Sequence, residues 1–201
     1  MSLIKLNDRA VKDITQFGSI SSLGSLTHIS TATASSSASI EFTSGIDSTY
    51  KEYVFYFVNI HPQTDDVDLE MNFSTDGGSN YNVTKTTTAF QTQHSEDDAV
   101  TSLSYEASWD LAQSTSNKVI IQNLGNDNDQ SCGGYLHLYN PSSTTFVKHF
   151  IANFQSIHRA NRSNQYFTAG YGNTTSAIDA IKFEMSSGNI DSGQILLFGV
   201  N

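Results

Sequence analysis

The stretch Asp76-Gly77-Gly78-Ser79-Asn80 follows a strictly alternating run and sets one carboxylate among small polar residues. Such a cluster can ligate a metal, hold a sugar or carry a catalytic acid; it can also only turn the chain. Two further groups offer the carboxylate pair that glycoside hydrolysis needs: Asp65, Asp66, Asp68 and Glu70, and Glu96, Asp97 and Asp98. Acids in polar loops are ordinarily solvated, and nothing nearby supplies the apolar pocket that raises an acid's pKa. Asn126, Asp127, Asn128 and Asp129 collect oxygen ligands in one loop, which suits calcium. The spacing is not that of an EF-hand, however, and no bidentate Glu follows, so a solvated turn is the simpler reading. His28, His61, His94, His137, His149 and His158 do not pair at a metal-ligand spacing on any one element. His137 and His149 fall in expected strands and can meet only through folding. Cys132 stands alone, which excludes an intrachain disulfide and a zinc site of several thiolates. It reads as a buried, inert thiol. No Gly-x-Ser-x-Gly elbow, phosphate loop or dinucleotide fingerprint occurs. No catalytic residue, cofactor or metal is assigned, and the expectation is a protein that is not an enzyme.

The elements that would position these residues are strands. In residues 67–73, Val67, Leu69, Met71 and Phe73 share one face while Asp68, Glu70 and Asn72 share the other. KEYVFYFVNI, residues 51–60, is almost continuously aromatic or β-branched, as a central strand buried on both faces would be. Later candidates are NYNVTKTTTAF, SLSYEASW, KVIIQNL, GGYLHLYNP, TFVKHFIANFQSI, QYFTAGYG, AIDAIKFEMSS and GQILLFGV. Gly- and Asn-rich clusters separate them. Only the segment after Asp47 and the one near residue 111 read as helical turns. This pattern predicts an all-β fold, an antiparallel β-sandwich of jelly-roll type. Its expected core includes Val54, Phe55, Phe57, Val67, Leu69, Met71, Phe73, Phe150, Phe183 and Leu197, with Tyr53 and Tyr56 capping it or facing a neighbour. In this frame Phe73 ends one strand and Tyr81 begins the next. Asp76-Gly77-Gly78 then reads as a tight hairpin, with the Asp bonding to the turn backbone. The spelling Ser74-x-Asp76-x-Gly78-x-x-Tyr81 resembles the Asp-box hairpin of sialidase-type propellers, in which the Asp supports the turn. A propeller needs several copies and one is present.

Residues 1–24 differ in character. Leu3, Ile4, Leu6, Val11, Ile14 and Phe17 lack clean alternation, and Lys5, Arg9 and Lys12 make the segment locally basic. We read 1–24 as a docking arm, with Leu3, Ile4, Leu6, Arg9, Val11, Ile14 and Phe17 as its contacts, and 25–201 as the sandwich domain; a frayed terminus or a first edge strand is the alternative for 1–24. The net charge of -10 and the absence of a Lys/Arg cluster exclude a nucleic-acid partner and disfavour anionic membranes. No apolar run is long enough for membrane insertion as a helix, and the start lacks the features of a signal peptide. Synthesis in a cytoplasm is the expectation. Asn161, Arg162, Asn164 and Tyr166 form a polar and aromatic loop suited to meeting surface glycans.

Several stretches carry a family resemblance. AIDAIKFEMSSGNIDSGQILLFGV, IDSTYKEYVFYFVNIHPQTDDVDLEMNFSTDGGSNY, LHLYNPSSTTFVKHF and the opening MSLIKLNDRAV resemble segments of bacteriophage virion proteins of marine and cyanobacterial phages. The likeness covers most of the chain, and its motifs are turns and strands. It implies a virion component assembled in a host cytoplasm, tail-fibre-like or decorating the capsid, and it carries over no catalytic residue. It also implies a homo-oligomer, a homotrimer first, with other virion proteins as partners. The aromatic surplus of residues 51–60 points the same way, since it exceeds what one sandwich face needs.

Overall fold

The computed structural model describes residues 25–201. The docking arm, with Leu3, Ile4, Leu6, Arg9, Val11, Ile14 and Phe17, lies outside the described residues. Thirteen antiparallel strands form the fold, and no helix occurs among the described residues. They are β1 (Leu26–Thr33), β2 (Ser39–Phe42), β3 (Glu52–Pro62), β4 (Val67–Ser74), β5 (Lys85–Ser95), β6 (Thr101–Tyr105) and β7 (Leu111–Ser114). The second half holds β8 (Lys118–Leu124), β9 (Cys132–Tyr139), β10 (Lys148–His158), β11 (Arg162–Gly172), β12 (Ala180–Met185) and β13 (Ile190–Val200). The segment near residue 111, expected as a helical turn, is strand β7 because it pairs with the start of β5.

A broad sheet runs β1-β13-β3-β9-β10-β11-β5, with β6 and β7 sharing the far edge of β5. A smaller sheet, β8-β4-β12-β2, covers it. The two join through the pair His158↔Leu124 at one seam and the bridge Ser37↔Ile190 at the other, which makes a nearly closed, barrel-like sandwich. The antiparallel all-β sandwich is therefore as the alternation predicts. Its strand order does not by itself spell a jelly roll.

The core lies between the two sheets. Nine of the ten residues expected there are buried in it; the tenth, Val54, is buried as well but on the other face of β3. Edge-to-face aromatic pairs organise it: Phe55 and Phe57 each meet Phe183, at 5.7 and 4.9 Å between ring centres, and Phe73 meets Phe150 at 5.5 Å. Strand β3 is central, between β13 and β9. Tyr53 is buried, and its hydroxyl donates to the Asp47 carbonyl and accepts from the Asp47 N–H, capping the loop before β3. The second face of β3 is covered only at its start. Val54 is buried, Tyr56 is half-buried and Val58 is exposed. The expectation of burial on both faces therefore holds for half the strand.

Candidate functional site

Asp76 closes a turn. Its Oδ1 accepts from the Ser74 hydroxyl at 2.7 Å and the Asn80 N–H at 2.8 Å, and Oδ2 accepts from Asn80 Nδ2 at 2.7 Å. These bonds, those from Asn80 first, hold the carboxyl below the usual carboxylate range. Gly77 and Gly78 adopt φ of 69° and 87°, the left-handed region that side chains resist. The turn is not a hairpin, however. Strand β4 pairs with β8 and β12 in the small sheet, whereas β5 pairs with β11, β6 and β7 in the large one. The turn opens the connection of residues 75–84, which carries the chain from one layer to the other.

The other acids are also held by local structure. Asp66 pairs with Arg159 at 2.7 Å, and Asp68 Oδ1 accepts the Asn123 N–H at 3.0 Å. Burial raises the Asp68 pKa. Asp97 Oδ1 accepts from the Ser95 hydroxyl and the Ala99 N–H, and Asp98 meets His94 at 2.9 Å. In the 126–129 loop, Asn126 Nδ2 donates to the Gln63 carbonyl, and the Asp127 carbonyl accepts the Gln130 N–H. Among the described residues no three His, Cys, Asp or Glu side chains converge as metal ligands. Cys132 is buried, and burial pushes its thiol pKa up, away from the reactive thiolate.

Sequence reasoning passed over two features. The first is a set of three lysines, Lys85, Lys118 and Lys148, all fully buried and each the first residue of its strand. Among the described residues no carboxylate pairs with any of them. Lys118 Nζ donates to the carbonyls of Trp109 (2.8 Å) and Val119 (2.7 Å), and Lys148 Nζ to those of Phe146 (2.9 Å) and Thr174 (3.0 Å). Lys85 Nζ donates to the Val83 carbonyl at 2.8 Å and to Asn72 Oδ1 at 2.5 Å. Desolvation lowers the pKa of all three, to about 8 for Lys85 and Lys118. Asn72 lies on the polar side of β4, yet it is buried because the segment after β7 covers it. Its Nδ2 donates to the Thr115 carbonyl and to Asn117 Oδ1.

The second feature is the outer face of the large sheet. Register places Leu196, Tyr56, Tyr135, Asn153, Phe167, Phe90 and Tyr105 side by side across seven strands, from β13 to β6. Phe167 and Phe90 stack at 4.6 Å. One residue row away, His137, Ile151, Ala169 and Thr88 continue the face. Phe90 is 42% exposed, Ile151 49% and Leu103 71%. Two shallow grooves mark this surface. One, of about 430 Å³, runs between Tyr139, His149, Ile151 and Tyr171; the other, of about 270 Å³, runs between Phe90, Tyr135, Ile151 and Phe167. Asn153 and Gln165, hydrogen-bonded at 3.1 Å, set amide groups among the rings.

The loop expected to face glycans is corrected in part. Asn161 does lie in the β10–β11 turn, and Arg162 opens β11, where it donates to Gln93 Oε1 at 3.0 Å. Asn164 and Tyr166 are buried, because β11 alternation turns them into the core. There Asn164 Nδ2 donates to the Tyr166 hydroxyl, which donates to the Gln122 carbonyl at 2.8 Å. The outward neighbours Gln165 and Phe167 take the surface position instead. No family model, curated protein or solved structure matches this chain.

Proposed function

We propose that this protein is a non-enzymatic component of a phage virion, a tail fibre or tail appendage, whose outer sheet face binds the host surface. The observation that carries the reading is the aromatic row Tyr56–Tyr135–Phe167–Phe90–Tyr105 on a face that no element of the described chain covers. A soluble monomer rarely leaves so broad an apolar face open unless something binds there. Flat rings flanked by amides and hydroxyls suit a saccharide. Its C–H faces pack on Phe90, Phe167 and Tyr135, and its hydroxyls reach Asn153, Gln165, Thr88 and His149. Residues 1–24 would attach the protein to the particle.

A second reading is favoured by the breadth of the same face. A row seven strands wide exceeds the footprint of one short glycan and suits contact with further copies in a homotrimer. In that form the protein fits a capsid decoration role. A glycan array on the full chain, run beside light scattering, separates the two. Glycan retention that disappears in Phe90→Ser supports the first reading. A trimer that Phe90→Ser dissociates, with no glycan retained, supports the second. A monomer that retains no glycan sinks both.

A further inference from the structure

We propose that Lys85 and Asn72 condense to an intrachain isopeptide bond joining β4 to β5. Lys85 Nζ lies 2.5 Å from Asn72 Oδ1, closer than an ordinary N–H···O bond. The carbon to be attacked is one bond further on. Both side chains are buried, so water is kept from competing for the amide and from hydrolysing the product. Among the described residues no carboxylate fixes the ammonium form, since the other partner of Nζ is the Val83 carbonyl. Desolvation brings the Lys85 pKa down to about 8, so in mildly alkaline solution much of it is free amine, the nucleophilic form.

The amide is also prepared for attack. The Phe73 N–H donates to Asn72 Oδ1 at 2.9 Å and stays in place for the negative charge that develops there. The Thr115 carbonyl and Asn117 Oδ1 hold Nδ2, so the amide plane is fixed. Asn117 Nδ2 in turn donates to Glu70 at 2.9 Å and Glu184 at 2.7 Å. The reaction balances without any co-reactant. Nζ bonds to Cγ, the Cγ–Nδ2 bond breaks, and one proton of Nζ passes to Nδ2, which leaves as ammonia. Among the described residues Lys118 and Lys148 donate to backbone carbonyls and not to a side-chain amide, so neither has an amide to join. One linkage is expected, and it connects two strands that share no ladder.

The test is the intact mass of the purified full chain, fresh and after prolonged incubation at mildly alkaline pH. The expected mass is about 17 Da below the sequence mass, one ammonia per chain. Lys85→Arg should retain the full mass. Proteolysis of the wild-type chain followed by tandem mass spectrometry should give a branched peptide containing Asn72 and Lys85, and this decides the matter even if the variant does not fold. An unchanged wild-type mass after incubation overturns the proposal, leaving the contact as a hydrogen bond. A 17 Da loss without the branched peptide also overturns it.

Discussion

Lys118 is the buried lysine whose titration is simplest to isolate, because its two partners are carbonyls that cannot react with it. Folding lowers its pKa from 10.5 to about 8, with burial as the main cause and Asp110 opposing it. The unfolded chain therefore keeps this proton up to about pH 10.4, while the folded chain releases it near 8. Between those limits the unfolded state binds more protons, so this group's contribution to stability rises with pH. At about 1.4 kcal/mol per pH unit, the penalty at neutral pH is about 3 kcal/mol, and it vanishes above pH 10. The perturbation is Lys118→Met, and the assay is urea unfolding of both proteins at pH 7, 8, 9 and 10. In the unfolded chain Cys132 and the tyrosines buried by folding also titrate toward the top of this range, but they are common to both proteins and cancel in the difference. Whatever the offset from the two carbonyls left without a donor, the stability of Lys118→Met relative to wild type should fall by about 2.5 kcal/mol between pH 7 and 10. Parallel curves would refute the reasoning, because they would mean that Lys118 stays protonated in the folded state.

Three further outcomes are expected. Phe183→Ala removes the ring that meets both Phe55 and Phe57 and should cost about 3–5 kcal/mol in chemical denaturation. Asp76→Ala removes a carboxylate whose folded pKa is lowered, so its contribution is present above the unfolded value near 3.9 and lost as pH falls through the folded one. The variant should be less stable at pH 7, and the difference should shrink in acid unfolding monitored by circular dichroism. Gly193→Ala puts a methyl group at φ 110°, 2.7 Å from the Ile60 Cα and against the Asn59 carbonyl. It should lower the melting temperature, with a loss greater than about 1 kcal/mol.

Period-two alternation was enough to place Val67, Leu69, Met71 and Phe73 on one buried face, and aromatic density was enough to mark β3 as central. These are local properties: each strand's own side chains state which residues share a face. The same alternation was silent on partners. Phe73 and Tyr81 flank a turn rich in Gly and Asp, which reads as a hairpin, yet β4 and β5 belong to different sheets because their ladders go to strands far along the chain. Asn164 and Tyr166 looked like surface loop residues until the full-length register of β10 with β11 carried them into the sandwich. A shift of one residue reverses every side chain, and only non-local pairing sets that register. Of the outer aromatic row only Tyr56 belonged to the surplus of rings in residues 51–60; the row as a surface was not legible, since it exists only when seven strands lie side by side. The buried lysines were the least legible of all. A Lys at the head of a strand reads as solvated, and what makes Lys85, Lys118 and Lys148 tolerable inside is a set of oxygens brought from elsewhere: Asn72, Trp109 and Thr174. Burial of a charge depends on partners the chain delivers only once it is folded, so tertiary structure alone decided it.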